Sequence, residues 1–310
     1  MSMLDTRQRR IRATRRKGHS ALIAVSAAFM SLLIGIPAMG APKPLITVSS
    51  VPSEGVLLFG SNRPEFELAF KHGRAKGYDP LLPYTVVIQN NTDQEIIAYS
   101  VVWNCRDAAG KFTRALRNVS GLHDLTPGTK LVPHSTQIVS LLIDLEAGGT
   151  SWDSNTEGMV ERHATFFSSR AAVDIALDAV MFADGSTIGA DTAHCIPHWK
   201  AYMEAEQEVF TKATQTPPAS LRTVLNQLAA PGMTLAKELN MDVTHPGQLG
   251  VMAGRIKDYS EILQMEKAYF ALSILDEIDN TNLPTIENLR SILAKKKYPE
   301  VHNKYADLKE

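Results

Sequence analysis

The sequence predicts an α+β chain of more than one domain: an N-terminal antiparallel β-sandwich followed by a C-terminal α-helical bundle. Three observations carry this. Short apolar runs alternate with turn residues up to Cys195, the pattern of half-buried strands. Almost no helical period occurs before that point, and after Trp199 the apolar spacing lengthens to three and four residues, the stripe of an amphipathic helix. A basic, then apolar, leader of 40 residues precedes both parts. The expected segments are therefore 1–40 as a signal peptide, 41–196 as the sandwich and 197–310 as the helical domain.

The leader has seven basic residues between Arg7 and Lys17, the apolar run Ala21–Ile36, and the small residues Ala38 and Gly40 where a signal peptidase reads. As a helix, 16 residues span about 24 Å, short of the roughly 30 Å of bilayer hydrocarbon. A retained N-terminal anchor is the alternative, because helix flanks can snorkel and bilayers can thin. Without residues 1–40 the chain keeps 25 basic against 32 acidic residues, a net −7. Such a chain has no general field to gather nucleic acid. The expected setting is secreted or periplasmic, with no membrane span after signal removal and a protein or cell-envelope component as partner. Lys295, Lys296 and Lys297 form the remaining basic cluster and are expected to complement the negative end of a helix.

Strands are expected at Val56–Phe59, Phe66–Phe70, Tyr84–Gln89, Ile96–Cys105, Gln137–Ile143 and Val173–Phe182. Ile96–Trp103 is apolar on both faces, which marks a central strand covered on two sides. Asn90–Asp93 supplies residues that tolerate left-handed backbone, so a hairpin is expected there. Asp184-Gly185, between Phe182 and Thr187, is expected to form a type I′ hairpin turn with positive φ at both centres. The stretch 147–170, with Trp152, Glu161 and His163, is expected to be irregular, either a binding surface or a disordered insert.

Tyr84–Thr92 followed by Ile96–Tyr99, and Leu177–Ser186 after them, resemble the paired strands and closing hairpin of immunoglobulin-like domains in secreted bacterial proteins. The likeness spans residues 45–192. It implies an immunoglobulin-like sandwich and supplies no active residue.

Helices are expected from Trp199 to Thr214, from Pro217-Pro218 to about Ala230, over Gln248–Ile278, and onward from Pro284. Pro231-Gly232 should end the second of these. Glu266 and Lys267 fill a gap in the apolar period of the third. Within that helix, Gly250 and Gly254 suit close packing.

The chemistry-like stretch is DTAHCIPHW, Asp191–Trp199. His194 and His198 are spaced i, i+4, but Pro197 belongs in a first helical turn, so His194 falls outside the helix. A metal site would have to gather His163, His194 and His198 from separate segments. In an oxidising compartment an even number of thiols tends to pair, so a Cys105–Cys195 disulfide is expected. It would close a loop of 91 residues, worth roughly 4–5 kcal/mol; two unpaired thiols is the alternative. Asp174 and Asp178 lie about 13 Å apart along a strand, too far for an acid/base pair, and are expected to face solvent. Asn90 and Asn118 head glycosylation sequons.

No calcium loop, nucleophile elbow, phosphate loop or dinucleotide glycine pattern occurs, and no cofactor is expected. The favoured function is therefore an exported, non-catalytic binding or scaffold protein. The alternative is a metal-dependent hydrolase whose ligands converge from distant segments.

Overall fold

The structure, a computed structural model, describes residues 43–50, 55–70, 79–120, 130–141, 154–241, 256, 258–280, 285–296 and 298–304. Strand Ile96–Arg106 (β4) organises it, and the reason is in its side chains. Tyr99, Val101, Trp103 and Cys105 enter one apolar layer, while Ala98 and Val102 enter another on the opposite face. Large residues thus meet a second sheet, and small ones let helices approach.

The first sheet holds Phe112–Ser120 (β5), β4, Ala172–Phe182 (β7), Ser186–Gly189 (β8) and His302–Asn303 (β9), in that order. Leu45–Ser49 (β1) pairs in parallel with the first half of β7, and β9 pairs in parallel with β8. The second sheet is antiparallel, Val56–Gly60 (β2), Val86–Asn90 (β3) and Ser135–Val139 (β6). Between the sheets, Trp103 is fully buried and donates its indole N–H to the Tyr84 carbonyl at 2.7 Å.

Helix α1, Pro64–Phe70, follows β2, and a 3₁₀ turn, Asp79–Tyr84, precedes β3. Helix α2, Ser154–Ser168, buries Val160 and Phe167, and the Phe167 ring stacks on Tyr84 at 4.3 Å. On the other face of β4 and β7 lie α3 (Cys195–Gln215), α4 (Pro218–Leu239), α5 (Tyr259–Asn280) and α6 (Thr285–Lys295).

The expected fold class is corrected by this arrangement. An immunoglobulin-like sandwich followed by a helical bundle would segregate strands from helices along the chain; here both are spread through it, giving a mixed α/β fold. Helices interrupt the N-terminal half, and the last described strand lies after the last described helix. The four C-terminal helices share their core with Ala98, Val102, Ala179 and Met181 of the first sheet.

Several local expectations change with it. Phe66–Phe70 is helical, started by Pro64 with Glu65 and Glu67 in its first turn, as suits a helix N-terminus. Asn90–Asp93 is a crossover, since β3 and β4 belong to different sheets. There Asn90 Oδ1 accepts from the Thr92 N–H and hydroxyl, an Asx-turn. The β7–β8 hairpin forms, but only Gly185 has positive φ, +86°, and its N–H bonds the Phe182 carbonyl. That is a type I turn closed by a left-handed glycine. Helix α4 runs through Pro231. A Cβ on Gly232 would stand 2.3 Å from the Gln264 carbonyl oxygen, so close packing on α5 holds the helix together past the proline. Gly250 and Gly254 lie outside the described residues, as do Trp152, Lys297 and residues 1–40.

Candidate functional site at the joint between sheet and helices

DTAHCIPHW is the turn that carries the chain from β8 into α3. Asp178, on β7 and only 4% exposed, accepts from the Thr192 N–H (2.9 Å), the Thr192 hydroxyl (2.6 Å) and the Ala193 N–H (2.9 Å). It is a buried anchor and not the expected solvent-facing charge. Asp174 instead meets Arg106 at 2.8 Å and the Thr47 hydroxyl at 2.5 Å, and these partners hold its carboxyl below the usual range.

Asp191 takes over the start of α3. His194, directly before the helix, has φ 55° and makes no side-chain cap. The Asp191 carboxylate reaches forward and accepts from the N–H groups of Cys195 (2.6 Å) and Ile196 (3.2 Å), satisfying donors a helix start leaves open. Burial pushes Asp191 up to about 6, against the pull of those N–H groups.

The expected disulfide is not formed. Both cysteines are free and buried, in different layers: Cys105 between the two sheets, Cys195 between sheet and helices. Cys195 lies beside the Ser100 hydroxyl, five residues along β4 from Cys105 and on its other face. That is roughly 16 Å at about 3.3 Å per residue, beyond any disulfide span. Burial pushes the Cys195 thiol up to about 12 and raises that of Cys105.

The three histidines are not brought together. His163 belongs to α2, which packs beneath the 3₁₀ turn, whereas His198 is buried in α3 and His194 is exposed before it. Burial depresses His198 to about 4, and neither ring nitrogen has a hydrogen-bond partner among the described residues. Burial also lowers His163, helped by Arg162 and Arg114. Among the described residues no three His, Cys, Asp or Glu side chains converge as a metal site. Both sequons are spent on structure: Asn90 and Asn118 are buried, with their amides on backbone carbonyls.

Beside the joint lies a cleft of about 430 Å³, walled by Thr187, Asp191, Pro197, Lys200, Tyr259 and His302. Lys200 Nζ sits 5.3 Å from the centre of the Tyr259 ring, and the Tyr259 hydroxyl donates to Glu204 at 2.5 Å. Sheet supplies one wall and helices the other. Lys200, Tyr259 and His302 were invisible as a site in the sequence, since 102 positions separate the outer two.

A second feature is buried charge in the helical layer. Glu206 of α3 is fully buried and paired with Lys296, whose ammonium lies over the Tyr202 and Tyr298 rings. Lys296 therefore serves Glu206 and not the end of α6. Glu266 of α5 is 1% exposed, with no hydrogen-bond partner for either oxygen among the described residues, and burial pushes it up to about 8. The gap at Glu266 in the apolar period was its only sequence signal. No protein-family model matches the chain, and no similar curated protein or solved structure was found, so the likeness to immunoglobulin-like domains has no relative to be measured against.

Proposed function

We propose that the protein is an exported, non-catalytic binding or scaffold protein whose contact surface includes the 430 Å³ cleft at the joint. One observation carries the reading: apart from the exposed His194, the reactive-looking groups of DTAHCIPHW, and the Asp178 carboxylate beneath it, are engaged in the fold. Asp178 and Asp191 hold backbone N–H groups, and the Cys195 thiol and His198 imidazole are buried and uncharged. A catalytic thiolate or general base needs a depressed or near-neutral pKa and access to substrate; Cys195 and His198 are held the other way, and the Asp191 oxygens are occupied by the helix N–H groups. What the cleft presents instead is an aromatic ring, a cation and polar rim groups on rigid elements, the composition of a recognition site.

The test is a thermal-shift panel with amino acids, mono- and disaccharides, nucleotides, dicarboxylates and cell-wall peptides, repeated with Tyr259→Ala. A ligand at about one hundred times its Kd adds roughly 2.7 kcal/mol, several degrees in Tm for a chain of this size. The reading expects at least one class to stabilise the wild type and not the variant. A shift that survives Tyr259→Ala, or turnover of an ester, peptide or phosphate substrate by the wild type, would overturn it.

A further inference from the structure

The first sheet ends in a row that crosses four strands: Leu45 pairs with Ala172, Ala172 with Arg106, and Arg106 with Phe112. The chain is acidic outside its leader, yet this end is basic. Lys43, Lys111 and Arg114 are exposed in or beside the row. Arg114 and Arg170 both lie over the Phe166 ring, at 5.5 and 4.2 Å, and Arg114 and Arg162 both act on His163. Neither Arg114, Arg162 nor Arg170 has an ion pair among the described residues.

Two carboxylates at this end, Asp174 and Asp107, are occupied, and Glu161 beside Arg162 is exposed. Asp174 pairs with Arg106, and Asp107 is used inside its own turn, accepting from the N–H groups of Ala109 and Lys111. Two of the three most exposed large apolar side chains among the described residues stand in the same row, Leu45 at 67% and Phe112 at 53%. Leu45 follows the apolar run Ala21–Ile36 by nine residues in the sequence. Unpaired cations at the same end of the sheet as protruding apolar side chains, Lys43 and Lys111 near Leu45 and Phe112 in the chain and Arg114 and Arg170 on the Phe166 face, match a surface of anionic headgroups over hydrocarbon; a soluble polyanion would leave Leu45 and Phe112 unused.

We propose that this basic, apolar-tipped end of the sheet docks on an anionic phospholipid bilayer. The surface shares no residue with the cleft. Cys105 and Cys195 are buried, so an engineered surface cysteine can be labelled selectively in the full chain. An environment-sensitive fluorophore on Ala109→Cys, at the exposed tip between β4 and β5, reports on this end; one on Met233→Cys of α4 is the control. With vesicles of phosphatidylcholine and phosphatidylglycerol at 7:3, the Ala109→Cys label blue-shifts and the Met233→Cys label does not. Pure phosphatidylcholine gives no shift. Replacing Lys111 and Arg114 by Ala weakens the response by about fivefold per cation, roughly 25-fold together. Equal shifts at both positions, equal response to neutral vesicles, an unchanged response after Lys111→Ala with Arg114→Ala, or an equal response to inorganic polyphosphate would each overturn the proposal.

Discussion

Glu266→Gln should stabilise the protein, and increasingly so as the pH rises. The carboxyl is 1% exposed with no hydrogen-bond partner among the described residues, and its pKa moves from 4.5 to about 8 through burial alone. In the folded chain the group keeps its proton where the unfolded chain has released it. Its contribution is therefore fully present below about pH 4.5 and is lost as the pH rises through about 8. Each pH unit in that window costs about 1.4 kcal/mol, so the loss is about 3 kcal/mol at neutral pH and approaches 5 kcal/mol at its end. Glutamine keeps the shape and has no proton to lose. The Glu206–Lys296 pair is common to both proteins and cancels. Urea unfolding of wild type and Glu266→Gln from pH 4.5 to 8.5, with unchanged m-values, measures the difference directly. The two stabilities should nearly coincide at pH 4.5 and diverge steadily above it. Parallel curves across the window would refute the assignment of Glu266 as a buried, neutral acid.

Thiol titration should find no reactive cysteine in the native protein and two after denaturation without reductant, since both thiols are free and buried; none after denaturation would restore the disulfide. Gly232→Ala should destabilise by about 1–3 kcal/mol, despite the better helix propensity of alanine, because its Cβ would stand 2.3 Å from a backbone oxygen of α5 and 2.6 Å from the Ala268 Cβ; a gain in Tm would show that α4 and α5 move apart without cost. Lys296→Met should cost about 3–5 kcal/mol by leaving Glu206 buried and unpaired, and adding Glu206→Gln should recover most of the loss. A double variant no more stable than the single one would remove the ion pair from the account.

The sequence made the central strands legible because burial on both faces leaves a continuous apolar run, as in β4 and β7. It hid the edges. β5 carries Arg114 and Arg117 and needs only one apolar side; β1 finds its partner more than 120 residues away; β9 is two residues long and is a strand only because β8 lies beside it. Helix α1 has the look of a strand in the sequence because Phe66, Leu68 and Phe70 alternate with Glu and Ala, and over seven residues the two periods are hard to separate. The fold class departs from the expected sandwich and bundle for a related reason. Periodicity reports how much of each face is apolar and not what covers it, so a strand buried by helices on one side reads like one buried by a second sheet.

The same limit explains the joint. Asp178 and Asp191 stand 13 residues apart in sequence, each resembling an ordinary surface acid. Their roles follow from one geometric demand: the chain must leave the sheet edge and start a helix on the sheet's own face. Gly189, with φ 112°, brings the backbone so close to β7 that a Cβ would stand 2.2 Å from the Asp178 carbonyl oxygen. Asp191 and His194 then take left-handed backbone to complete the turn, at a cost of order 1–3 kcal/mol each. The two carboxylates hold that backbone through N–H groups that would otherwise be buried without acceptors. A stretch that gathers two histidines, a cysteine and an aspartate is thus accounted for by turning a corner, and the polar groups left for a ligand are those that the corner brings together from β8, α3, α5 and β9.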